Sequence, residues 1–160
     1  MKKALFLPLL LAVSACSDSP EESLAKARAG YAANDFAAAR IHLASYLEAR
    51  PGDRDAMLLQ ARTLLALGDG DGAQAMLEKL AAGRPPEGDL AELAAEAALL
   101  RGVPDAALQL LGPRQGAEAE RLRAIAALQK KDPKRAQGHF EAAIDAGGNA
   151  RAFADYARFT

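Results

Sequence analysis

One cysteine, two histidines and a few hydroxyls are the side chains in this sequence best suited to nucleophilic or metal chemistry. Their spacing supports neither. Cys16 cannot form an internal disulfide, and one Cys with His42 and His139 makes no zinc framework. The hydroxyls beyond Cys16 are Ser17, Ser19, Ser23, Ser45, Thr63 and Thr160, and none has a histidine beside it in sequence. Glu92 and Glu96 stand one helical turn apart. They read either as a carboxylate pair or, more simply, as a solvated helix face. Gly68-Asp69-Gly70-Asp71-Gly72-Ala73 spells a dinucleotide loop, but that motif works between a strand and a helix, and here a helix precedes it. As a calcium loop it offers Asp69 and Asp71, then fails: Ala73 and Leu80 stand where further ligands are needed. The expectation is a protein that is not an enzyme and needs no cofactor or metal.

What remains is a helical chain. Hydrophobic residues are 51% of the total and aromatics only 5%, with no Trp. The apolar content is mostly Ala and Leu, which favour helices, while the residues that favour strands are scarce. The net charge is -1; without Lys2 and Lys3 it is 18 basic against 21 acidic residues, or -3. That balance argues against a nucleic-acid partner, which selects for a basic face.

The chain opens with basic Lys2 and Lys3, a short apolar run from Ala4 to Val13, then small Ser14 and Ala15. This is the pattern of a secretory leader, too short to span a bilayer as a helix. Val13-Ser14-Ala15-Cys16 resembles the lipobox of bacterial lipoproteins. The resemblance implies that residues 1–15 are removed and that Cys16 becomes the first residue, its thiol forming the thioether to a diacylglycerol. Several acyl chains, palmitate among them, make a stable anchor, at about 0.8 kcal/mol per buried methylene. Ser17 at the next position, by the same resemblance, points to the outer rather than the inner membrane. Residues 16–20 form a short tether, and residues 21–160 the folded part.

That folded part repeats every 34 residues. Ala39, Ala73 and Ala107 share the interval, as do Leu43, Leu77 and Leu111, and Ala27, Ala61 and Ala95; Pro51 and Pro85 are also 34 apart. A fourth copy, Ala136 and Phe140 preceded by Ala124, follows after 29 residues, because Gly112-Pro113 cuts the preceding helix short. Alanine in one column lets two helices approach closely, and Leu or Phe one turn later fills the groove beside it. Gly68 and Gly102 suit the turns, Pro104 and Pro133 the first helical turn, and Asp69, Asp89 and Asp132 the N-caps. The pattern predicts helices at 21–33, 36–49, 54–67, 71–82, 89–101, 104–111, 117–130, 133–146 and 150–159.

Period and columns resemble the tetratricopeptide repeat, whose second helix carries A-x3-F followed by Pro. The first-helix signature is degraded: its Trp place holds Ser23, Met57, Ala91 and Glu120. The resemblance implies an all-α, right-handed superhelical stack of about four antiparallel hairpins plus a final helix. It also implies a concave wall that binds partners. Helical spacing puts Leu24, Arg28, Tyr31, Leu58, Arg62, Leu65, Glu92, Glu96, Leu99, Arg121, Ile125 and Leu128 on that wall, or else in ordinary packing between hairpins and on exposed surface. Arg28 and Arg62 make one end basic; Glu92 and Glu96 make the middle acidic. In the last helix Phe153, Tyr156 and Phe159 form one aromatic stripe. It reads either as an exposed edge that docks a partner or a second copy as a homodimer, or as a cap buried on the fourth hairpin.

The expected function is a membrane-anchored scaffold for proteins or peptides of the cell envelope. Lipoproteins of pilus assembly, outer-membrane protein insertion and exosortase-linked exopolysaccharide export are similar, and Asn34 to Asp53 most resembles the last. The alternative is a regulatory subunit of an envelope enzyme such as a peptidoglycan synthase.

Overall fold

The computed structural model describes residues 18–160; the expected leader, residues 1–15, and Cys16 lie outside the described residues. Among the described residues there are nine α-helices and no strand: α1 (Pro20–Ala32), α2 (Phe36–Ala49), α3 (Arg54–Ala66), α4 (Gly70–Ala81), α5 (Asp89–Leu100), α6 (Pro104–Leu111), α7 (Ala117–Gln129), α8 (Pro133–Asp145) and α9 (Ala150–Phe159). Each predicted helix is present, with ends within one residue of expectation. The first eight pair as hairpins, and the first helices of successive hairpins also touch, α3 on α5 and α5 on α7. α9 leans on both α7 and α8. The fold is an all-α solenoid of tetratricopeptide type.

The small columns hold it together. Ala27, Ala61, Ala95 and Ala124, and Ala39, Ala73, Ala107 and Ala136, are all sealed from solvent. Leu43, Leu77, Leu111 and Phe140 are buried beside them. The degraded Trp column is filled differently in each unit. Ser23, Met57 and Ala91 are buried, while Glu120 is half-buried and bonded to Arg123 and His139.

The turn inside each hairpin reuses one device. Asn34, Gly68, Gly102 and Lys131 take positive φ, from 59° to 76°. In each case their own amide returns to the penultimate carbonyls, and the next amide reaches further back: Asp35 to Gly30, Asp69 to Leu64, Val103 to Ala98 and Asp132 to Ala127. This pairing satisfies carbonyls that a helix end leaves open. The same Asp35, Asp69 and Asp132 then cap the following helix by accepting from the amides of Ala38, Gly72 and Arg135. In the third hairpin Pro104 at the first helical position replaces the side-chain cap.

Two expectations need correction. Asp89 is not a cap: Gly88, with φ 56°, occupies that position, and Asp89 is already helical, favourably placed in the first turn. α4 begins at Gly70 rather than at residue 71, because Asp69 sets its start. A Cβ on Gly70 would lie 2.9 Å from the Ala97 carbonyl and from the Leu100 and Arg101 side chains, so this glycine lets α4 seat on α5. Ser19 also forms a capping box with Glu22 at the start of α1, so Ser19, expected in a tether, is tied to that helix.

Candidate functional site

The inner wall is built from the first helix of each hairpin. Ala61 and Ala95 face inward to the hairpin partner, which turns the opposite sides of α3, α5 and α7 toward a common channel. Three grooves run along it. The largest, about 650 Å³, is lined by the rings of Tyr31 and Phe36, by the apolar Leu65, Leu93 and Leu100, and by the charged Arg62, Glu96 and Arg151. The Tyr31 and Phe36 rings meet edge to face at 5.4 Å. A second groove of about 290 Å³ shares Arg62, Leu93, Glu96 and Arg151 with the first, and adds Asp89, Glu92, Glu118 and Asn149. A third, about 420 Å³, lies between α9 and α5–α7, lined by Leu99, Leu100, Leu122 and Ile125.

The twelve residues expected on this wall divide. Tyr31, Arg62, Leu65, Glu92 and Glu96 line the first two grooves. Glu96, Leu99, Arg121 and Ile125 line the third. Leu24 and Leu58 serve as packing, half-buried against the apolar core. Arg28 and Leu128 are exposed.

Glu96 is not the solvated charge that its spacing from Glu92 suggests, and Arg121 is buried with it. Arg121 is 2% exposed and Glu96 9%. The Arg121 guanidinium donates to Glu118 at 2.6 and 3.0 Å and to Asp155 at 2.7 Å, with Glu96 at 3.7 Å. Arg151 of α9 reaches across to Glu96, bonding both its oxygens, and lies 3.7 Å from Glu118. Asn149, which caps α9, donates to Glu118 as well. The physical reason is desolvation: a guanidinium with almost no water contact must be matched by carboxylates. Burial alone would lower the Arg121 pKa, but Glu118, Asp155 and Glu96 more than offset it and hold the guanidinium charged. Burial alone would likewise raise Glu118, yet Arg121, Asn149 and Arg151 keep its carboxyl below the ordinary glutamate range.

Glu92 behaves in the opposite way. It is half-buried, and burial together with repulsion from Glu118 and Asp89 raises its pKa; Arg114 opposes only from a distance. Arg121 and Arg151 are already committed to other carboxylates. Neither Glu92 nor Arg62 makes an ion pair among the described residues, although both line the second groove.

The aromatic stripe divides too. Tyr156 and Phe159 pack on buried Phe140, each with ring centroids 5.6 Å away, whereas Phe153 turns outward at 53% exposure. Ala152, Asp155, Tyr156 and Phe159 share the face that docks. Arg151, Asp155, Glu118, Leu93 and Phe36 are wall residues that sequence reasoning missed. Arg151 and Asp155 sit one turn apart and Glu118 lies three residues before Arg121, but neither spacing signals that these charges are buried together.

Comparison with known proteins agrees with this architecture. Residues 30–97 match the family described as tetratricopeptide repeat. No curated protein matches the chain. Among solved structures, a tetratricopeptide repeat protein from Parabacteroides merdae is similar at 18% identity and TM-score 0.66, covering 89% of this chain and 57% of its own. A thermophilic protein with the same repeat from Thermus thermophilus is similar at 21% identity and TM-score 0.62, over 80% of this chain and 74% of its own. The MamA protein is similar at 15% identity and TM-score 0.60, over 80% of this chain and 73% of its own. This chain thus spans little more than half the length of the Parabacteroides protein. At these identities the likeness is one of fold.

Proposed function

We propose that this protein is a non-catalytic scaffold that holds protein or peptide partners along its inner wall, and that it does so from the periplasmic face of a bacterial outer membrane, anchored through lipid on Cys16. The observation that carries the first half is the pair of adjoining grooves, which combine apolar Leu65, Leu93 and Leu100 with charged Arg62 and Glu92. An apolar lining with a few polar groups among it suits an extended peptide, and tetratricopeptide-type solenoids offer that face to partners. Leu100 lines the larger groove and is 45% exposed, so a larger side chain there is expected to narrow the groove with little effect on the core. Leu100→Trp is expected to retain helicity and melting temperature while losing the partners captured by wild type from detergent-solubilised membranes. Equal capture by both proteins overturns the assignment of the channel.

The lipobox-like run before Cys16 supports the second half of the reading. Metabolic labelling with a palmitate analogue is expected to tag the protein. Cys16→Ala is expected to abolish the label and to move the protein from the membrane to the soluble fraction. A mutant that still labels and sediments with membranes refutes the anchor.

A further inference from the structure

The two adjoining grooves differ in chemistry. One is walled by the fixed Tyr31 and Phe36 rings over leucines. The other carries four carboxylates, Asp89, Glu92, Glu96 and Glu118, against two guanidiniums, Arg62 and Arg151. Arg151 is spent on Glu96 and Glu118, and Arg121 behind it on Glu118 and Asp155. The charges left over are Asp89 and Glu92 on α5 and Arg62 on α3. Arg62 is exposed, so water and salt screen it. Glu92 is half-buried, where a charge interacts more strongly with a partner of opposite sign. The field that a ligand meets in this groove is therefore negative. Because the grooves share Arg62, Leu93, Glu96 and Arg151, one short extended segment can occupy both.

From this juxtaposition we infer that the channel selects an extended peptide segment in which a lysine or arginine stands close to a large apolar side chain: the cation at Glu92 and Asp89, the apolar group between Tyr31, Phe36 and Leu65. The inference rests on the proposed partner-binding role of the inner wall and names the chemistry of the partner. It also gives Glu92 a physical account. A half-buried carboxylate repelled by its neighbours weakens the fold, and a bound cation relieves that cost. Sites that bind or react commonly carry such locally unfavourable groups.

The test is selection from a random peptide library displayed on phage, panned against the full-length protein, with enriched peptides then synthesised and titrated by fluorescence anisotropy. Basic-apolar peptides are expected to be enriched. Glu92→Gln is expected to weaken them by on the order of tenfold, the equivalent of one lost charge contact. Its melting temperature should stay equal to wild type or rise, which excludes misfolding as the cause. Arg62→Gln, which removes the competing cation from the groove, should tighten binding, and Leu100→Trp should abolish it. Enrichment of acidic peptides that depend on Arg62 overturns the inference while leaving the channel as a binding site. Binders indifferent to Leu100→Trp, or no enrichment at all, overturn both.

Discussion

Arg121→Met is expected to cost on the order of 3–5 kcal/mol at neutral pH, the usual penalty for removing one partner of a buried ion pair. Methionine matches the length and packing of the arginine stem, so the loss reports charge rather than a cavity. Without the guanidinium, Glu118 keeps only Arg151 and Asn149, Asp155 keeps only Arg158 at 3.4 Å, and Glu96 keeps Arg151. The damage should be local. In a stack where each unit contacts only its neighbours, α9 and the α7 face beneath it loosen before α1–α4 are affected. Hydrogen exchange by mass spectrometry should show lost protection over 117–129 and 150–159, with 20–66 unchanged. A uniform loss along the chain, or none, contradicts the role given to Arg121. Adding Glu118→Gln and Asp155→Asn to the variant should recover part of the stability, because it removes the stranded charges.

The same cluster fixes a pH dependence. Glu118 has a folded pKa below its unfolded value of 4.5, so its contribution is complete above that value and is lost as pH falls through the lower folded pKa. Glu92 has the opposite sign. Its folded pKa is raised, so its contribution is complete below 4.5 and is lost as pH rises through the folded value. On acidification, relief at Glu92 therefore precedes the loss at Glu118.

The helical frame was legible because its determinants are local. An alanine at Ala39, Ala73, Ala107 and Ala136 with a large residue one turn later is a pattern within a single helix. The turns at Gly68 and Gly102 are likewise set by the residues that occupy them. The charge cluster was not legible, because it joins Glu96 to Arg151 across 55 residues and Arg121 to Asp155 across 34. Seen along one helix, Glu118 and Arg121 are an ordinary surface pair. Only the packing of α5, α7 and α9 makes them buried, and burial is what turns a weak pair into an obligatory one. Asp89 misled for a related reason: Gly88 before it takes the positive φ that starts the helix, and an aspartate in the first turn looks like a cap in sequence.

Phe140→Ala is expected to cost about 3–5 kcal/mol, in the range for deleting a fully buried aromatic ring. Phe140 is 1% exposed, and Tyr156 stacks on it at an interplanar angle of 22°, with Phe159 tilted at 34°. Its loss removes the surface on which two of the three aromatic residues of α9 rest. The repeat itself supplies the control. The equivalent column holds Leu43, Leu77 and Leu111, so a leucine fits this position in other hairpins. Phe140→Leu should keep most of the stability and lose chiefly the ring contacts, each about 0.5–1.5 kcal/mol beyond area burial. Urea denaturation of the two variants against wild type measures both effects. Unlike the Arg121 loss, the Phe140 loss should hardly vary between neutral pH and the acid limb, since no titrating group is removed. If the alanine variant is no less stable than the leucine variant, Phe140 is not the support for α9. The helix would then be held by its charges alone: Arg151 on Glu96, and Asp155 on Arg121.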